Sequence, residues 1–133
     1  MVQSESQANA ELTLQVVRRM QAAANASNLK EAQWSALRYL SKANPSARTN
    51  RAFAAYHQTT TGTVAVTFKA LVDKGLVEKK RDPSDGRLTR FNLTQLGRQT
   101  LKDDPINVLA ESIEGLSEEQ RRALTEIFYQ LLL

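Results

Sequence analysis

Apolar positions recur first at helical spacing. Leu12, Val16, Met20 and the pair Ala23 and Ala24 form a narrow stripe, which predicts a helix over 8–26 behind a polar, frayed start at 1–7. A second helix is expected from Asn28, which can cap it with Glu31 three residues on, to about Lys42. Trp34, Leu37 and Leu40 face inward on it. The Asn44–Pro45 step ends it, because the residue before proline is pushed out of helical geometry. A short helix over 49–57 follows, capped by Thr49 and anchored by Phe53. The polar break QTTTGT then leads into a helix over 61–74. Val64, Phe68, Leu71 and Val72 share its buried face, and Gly75 stops it.

After Gly75 the period changes. Residues 76–81 and 88–93 read as two strands, with Thr89, Phe91 and Leu93 on one face. Between them DPSDGR is a turn by composition. Thr94 caps a helix to about Lys102, and Asp104–Pro105 breaks it. Ile106, Leu109 and Ile113 begin a C-terminal helical part. Ser117 and Gln120 form a capping box, and Leu124, Ile127, Phe128, Leu131 and Leu132 make a wide stripe behind it.

The order predicts a mainly α fold with a small two-stranded β wing, a winged helix-turn-helix over about 45–97. The whole of 1–133 is expected to be one domain, with residues 28–104 as the winged lobe. The stripes in 8–27 and 105–133 have no partner inside so small a lobe, so they are expected to be dimerisation helices.

Charge sharpens the picture. The chain of 133 residues carries a net +4, and its distribution is uneven. Residues 45–90 hold nine basic and four acidic side chains, while residues 91–133 hold four basic and seven acidic. The positive excess therefore sits on the predicted helix-turn-helix and wing, as a polyanion-facing surface requires. Turned at 100° per residue, the 61–74 helix presents Gly62, Thr63, Val66, Lys69, Ala70 and Asp73 outward, with Thr59 just ahead. Thr63 can meet a base edge or a phosphate, Val66 a thymine methyl and Lys69 a phosphate. Thr60 and Thr61 lie where free helix N–H groups bind phosphate, although such threonines also serve simply as caps. Arg48, Arg51, Arg81 and Arg90 complete the candidate DNA contacts. No arginine on the recognition face can make the bidentate guanine contact, so shape and the wing are expected to carry weight.

Other chemistries find little support. The chain has no cysteine and a single histidine, His57. Disulfides and thiol catalysis are excluded, and neither a metal site nor a cofactor is expected. No nucleophile–base pair or glycine-rich phosphate loop is evident, so an enzyme is not expected. No apolar run is long enough to span a membrane and no leader is evident, which suggests a cytoplasmic protein.

From Gly75 to Gly97 the sequence resembles the MarR family of winged-helix regulators. The residues that carry the resemblance are Leu71 ahead of Gly75-Leu76-Val77, Arg81-Asp82-Pro83, Asp85-Gly86-Arg87 and the run LTQLG at 93–97. Leu29 and Gln33-Trp34 are similar to the opening of the family's second helix. The resemblance implies a homodimer that sets one recognition helix in each half-site of a pseudo-palindromic operator. It also implies that Arg87 is the wing arginine of the minor groove, oriented by Asp85. Family members often bind small aromatic or phenolic ligands between the dimer helices and the lobe. Trp34, Tyr39 and Tyr56 are the candidates here, with core packing as their other reading. Two departures stand out: Gly86 where the family often has a second arginine, and Val66 with Ala70 where polar or basic residues are common. The expectation is a sequence-specific double-stranded DNA-binding transcriptional regulator, a repressor by family habit. The alternative is a winged-helix protein-interaction module without DNA binding.

Overall fold

A computed structural model describes residues 3–133. The chain divides into two compact units. One takes the chain up to Met20 together with Pro105–Leu133, and the other is Gln21–Asp104. The second unit thus begins inside the first helix, at Gln21.

The lobe contains α2 (Glu31–Lys42), α3 (Asn50–Tyr56), α4 (Thr61–Asp73), β1 (Val77–Arg81), β2 (Thr89–Leu93) and α5 (Gln95–Thr100). The first helix, α1 (Glu5–Asn25), runs into it and buries Ala24. Trp34, Leu37 and Leu40 of α2 pack with Phe53 of α3 and with Val64, Phe68 and Leu71 of α4. Phe68 lies at the centre, 5.6 Å from Phe53 and 4.4 Å from Phe91 between ring centroids. These rings tie α3, α4 and β2 together, and truncating such a buried phenylalanine typically costs about 3–5 kcal/mol.

The elements start where side chains satisfy free amides. Thr49, Thr60 and Thr94 each accept the amide three residues on, opening α3, α4 and α5. At the end of α4, Gly75 takes φ +74°, a conformation that side chains disfavour. The Gly75 amide then bonds Val72 O and the Leu76 amide bonds Leu71 O. Leu76 therefore belongs to the helix stop rather than to the strand. β1 and β2 pair antiparallel from Val77 opposite Leu93 to Arg81 opposite Thr89. Phe91 is the buried member of β2, and its amide also bonds Arg48 O at 2.8 Å, stitching the wing to the segment before α3.

Two helix starts differ from the expectation. α1 begins at Glu5, because Ser4 and Gln7 form a reciprocal capping box, each amide bonded to the other's side chain at 3.1 Å. Of the frayed start expected over 1–7, residues 1 and 2 lie outside the described residues. α2 begins at Glu31 rather than at Asn28. The Gln33 amide side chain accepts the Lys30 N–H at 3.0 Å, and Ser27, not Asn28, organises the turn. Ser27 Oγ accepts the Trp34 indole N–H at 2.9 Å and donates to the Leu29 carbonyl.

The other unit contains α6 (Ile106–Glu114), α7 (Glu118–Leu132) and the first part of α1. Ser117 and Gln120 form the expected capping box. Neither α6 nor α7 contains a buried residue. Val108, Ile127, Phe128, Leu131 and Leu132 are all exposed, as are Leu12, Leu14, Val16 and Val17 of α1. Among the described residues no helix is long and apolar enough to cross a membrane.

Candidate nucleic-acid interface

The face built by α3, α4 and the wing gathers most of the candidate residues. α4 is an amphipathic cylinder. Its Val64–Phe68–Leu71 stripe is sunk in the core, which turns Gly62, Thr63, Val66 and Lys69 to solvent. Val66 is 72% exposed. Lys69 pairs with Asp73 at 2.9 Å one turn on, a fully solvated contact worth at most about 0.5 kcal/mol and readily given up to a phosphate. Thr60 is the helix cap, and Thr61 is exposed in the first turn.

The wing tip is ordered from within. Asp82 Oδ1 accepts the amides of Ser84 and Asp85 at 2.7 and 3.1 Å, folding the turn. Its Oδ2 accepts both Nε and Nη2 of Arg90 at 2.7 Å. The Arg90 guanidinium and these amides hold the Asp82 carboxyl below the usual carboxylate range. Arg90 also donates to the Pro45 carbonyl, so it joins the wing base to the turn before α3. Asp85 Oδ1 accepts the backbone amide of Arg87 at 3.0 Å. The resemblance implied that Asp85 orients Arg87; the contact that the carboxylate makes is to the Arg87 backbone amide.

The five candidate arginines separate into two groups. Arg48 donates to Ala43 O at 3.0 Å and to Asn92 Oδ1 at 3.1 Å, which makes it an internal brace between the end of α2 and β2. Arg90 is likewise committed inside the lobe. Sequence reasoning offered both as DNA contacts, because a guanidinium in a basic segment carries no mark of the carbonyls that the fold brings to it. Arg51, Arg81 and Arg87 are exposed, as is Lys79 on β1, which sequence reasoning did not single out. Among the described residues none of these four has an ion-pair partner. Arg51, Lys69, Lys79 and Arg87 surround a cleft of about 710 Å³ between α4 and the wing, floored by Val72 and Leu88. Three of the four unpaired cations, Arg51, Lys79 and Arg87, thus share a cleft with Lys69 of α4.

The aromatic candidates do not form one site. Trp34 is buried with its N–H bonded to Ser27. Tyr39 and Tyr56 stand side by side, centroids 5.1 Å apart, with Tyr39 O–H donating to Ala47 O at 2.8 Å and Tyr56 exposed. Burial raises the Tyr39 phenol above its usual range. His57 closes α3, its ring stacked on Phe53.

Comparison with known proteins falls on the same lobe. The model of the MarR family matches residues 27–88. YxaD of Bacillus subtilis (strain 168), named an uncharacterized HTH-type transcriptional regulator, is 41% identical over 63 residues, covering 47% of this chain and 43% of that protein. YdgJ of the same organism, named likewise, is 32% identical over 66 residues, covering 47% of this chain and 40% of its own length. The chain thus spans less than half the length of the curated relatives it matches. Among solved structures, the S. aureus MepR–DNA complex superposes with a TM-score of 0.71 at 22% identity, covering 92% of this chain and 95% of that one. CouR from Rhodococcus jostii bound to p-coumaroyl-CoA superposes at 0.77 and 21% identity, covering 98% and 95%. At such identities the superpositions establish a common winged-helix fold.

Proposed function

We propose, from the match of residues 27–88 to the MarR family model, that this chain is a sequence-specific double-stranded DNA-binding transcriptional regulator. It acts in the cytoplasm as a homodimer on a pseudo-palindromic operator, as a repressor. One observation carries the reading: Lys69, on the exposed face of α4 that also bears Thr63 and Val66, shares a cleft with the unpaired cations Arg51, Lys79 and Arg87. A helix of this size fits the major groove, and a basic hairpin tip reaches the adjoining minor groove. Arg87 is the minor-groove residue, presented by a turn that Asp82 and Asp85 hold. Arg51, Lys69 and Arg81 contact phosphates, and Thr60 and Thr61 lie at the helix end nearest the backbone. A fold relative solved as a DNA complex supports this placement.

The open apolar faces of α1, α6 and α7 belong to the dimer, where a second copy covers them. A small aromatic ligand shifts DNA affinity. The support is a fold relative solved with p-coumaroyl-CoA and the adjacent rings of Tyr39 and Tyr56 in this chain. A second reading, a winged-helix module that docks on protein, draws on the arginine-free α4 face with its exposed Val66. Selection of bound duplexes from a random DNA pool tests the two. Regulation through DNA yields an enriched, two-fold-related site, and a protein-docking module enriches none.

A further inference from the structure

We propose that Thr63 and Val66 together read one thymine in each half-site, Thr63 through the base's O4 and Val66 through its 5-methyl group. The inference rests on the DNA-binding reading above and names what α4 recognises.

The Thr63 amide donates to Thr60 Oγ1 at 3.1 Å, and the Thr60 hydroxyl donates to Thr63 Oγ1 at 3.0 Å. The Thr60 proton is thereby spent on its neighbour. The Thr63 hydroxyl receives that proton and keeps its own for a partner outside the protein, which makes it an outward donor. Donors in such a chain also polarise one another. Val66 lies three residues on, on the same helix face, where side chains stand about 5–6 Å apart at their β-carbons. It is 72% exposed. The face therefore offers a donor next to a branched apolar surface.

Only one base edge in the major groove matches that pair. Thymine carries an acceptor and a methyl group on adjacent ring atoms. Adenine offers an acceptor and a donor, guanine two acceptors, and cytosine a donor without a methyl. Lys69, one turn further along the face, pairs weakly with Asp73 and, as a point charge, is suited to phosphate rather than to a bidentate guanine contact. Gly62 permits the approach. A β-carbon there would meet only Thr60 Oγ1, at 3.9 Å, so the protein's own packing does not require a glycine. Its cost to the helix, about 1 kcal/mol relative to alanine, is consistent with a need for clearance on the outer side.

The test removes single methyl groups from DNA. In the duplex enriched by random-pool selection, each thymine is replaced in turn by deoxyuridine, and affinity is measured for the wild type, Val66→Ala and Thr63→Val. Val66 is exposed, so Val66→Ala keeps the fold, which a thermal melt checks. One thymine per half-site is expected to be methyl-sensitive, its replacement weakening wild-type binding about fourfold, the value of one buried methylene-sized group. Val66→Ala is expected to bind the thymine and uracil duplexes equally. Thr63→Val is expected to bind more weakly while keeping the methyl sensitivity. If no thymine is methyl-sensitive, or if Val66→Ala suffers the same loss as the wild type, the assignment is overturned while DNA binding stands. If no duplex is enriched, the DNA-binding reading fails and this assignment fails with it.

Discussion

Gly97 lies directly on the backbone carbonyl of Leu76: a β-carbon at Gly97 would stand 2.1 Å from Leu76 O. The contact explains a spacing. Thr94 accepts the Gly97 amide and donates to Gly75 O at 2.6 Å, while its own amide bonds Leu76 O. α5 is thus seated on the turn that ends α4 and starts the wing. The run LTQLG at 93–97 is the mechanical joint between α4, the wing and α5.

Gly97→Ala is therefore expected to destabilise the lobe by about 1–3 kcal/mol, since backbone rather than a flexible side chain blocks the new methyl. Thermal denaturation measures it. An unchanged melting temperature would mean that α5 shifts at no cost.

Arg87 and Arg90 sit three residues apart and are expected to behave oppositely. Arg87→Ala, which removes an unpaired exposed side chain, leaves stability unchanged and weakens duplex binding several-fold. Arg90→Ala removes the partner of Asp82 and the donor to Pro45 O. It lowers the melting temperature and quickens proteolysis at 82–88. Equal effects of the two on stability would contradict the division between exposed and internal arginines.

That division marks what the sequence could convey. Thr49, Thr60, Thr94, Gly75 and Ser117 act through neighbours a few residues away, so their roles were legible in order and spacing. Arg48 and Arg90 act on carbonyls and side chains that only the folded lobe brings near, so charge patterning could not convey these internal bonds. The Ser4–Gln7 box was readable, yet the weak apolar stripe of α1 drew attention to residue 8 and beyond. The α4 face was legible because its buried stripe is regular. Which way the Thr60–Thr63 hydroxyls point was not, since that depends on helix geometry.

The pH response of the wing follows from Asp82. Its folded pKa lies below the ordinary 3.8, so its contribution is present above that value and is lost as pH falls through the depressed folded value. Carboxyl NMR titration should find Asp82 ionised when ordinary aspartates are half protonated. In Arg90→Ala the Asp82 midpoint should move up toward 3.8. An ordinary midpoint in the wild type would mean the pair does not hold in solution.

At the far end of the lobe, Arg38 grips Asp104 with Nε and Nη2 at 2.6 and 2.8 Å, and also bonds Glu31 at 3.0 Å. Asp104 is buried, and its hydrogen bonds raise the Arg38 pKa further above its already high value. Arg38→Ala is expected to cost roughly 3–5 kcal/mol, the usual penalty for stripping a buried carboxylate of its cation. Chemical denaturation reads it, and a loss under 1 kcal/mol, the scale of an exposed pair, would contradict the account.

The proposed dimer makes Leu131 and Phe128 interface residues. Leu131→Glu and Phe128→Glu should yield monomers by light scattering at micromolar concentration while the lobe melts as before. A dimer unaffected by both would place the interface elsewhere.

The central claim is that the α4 face and the wing bind duplex DNA. Fluorescence anisotropy of the wild type on its selected duplex, repeated across salt concentrations, tests it most directly. Displacement of counterions by Arg51, Lys69, Arg81 and Arg87 predicts tight binding at low salt and a steeply negative slope of log affinity against log salt. Weak binding with a slope near zero would contradict it.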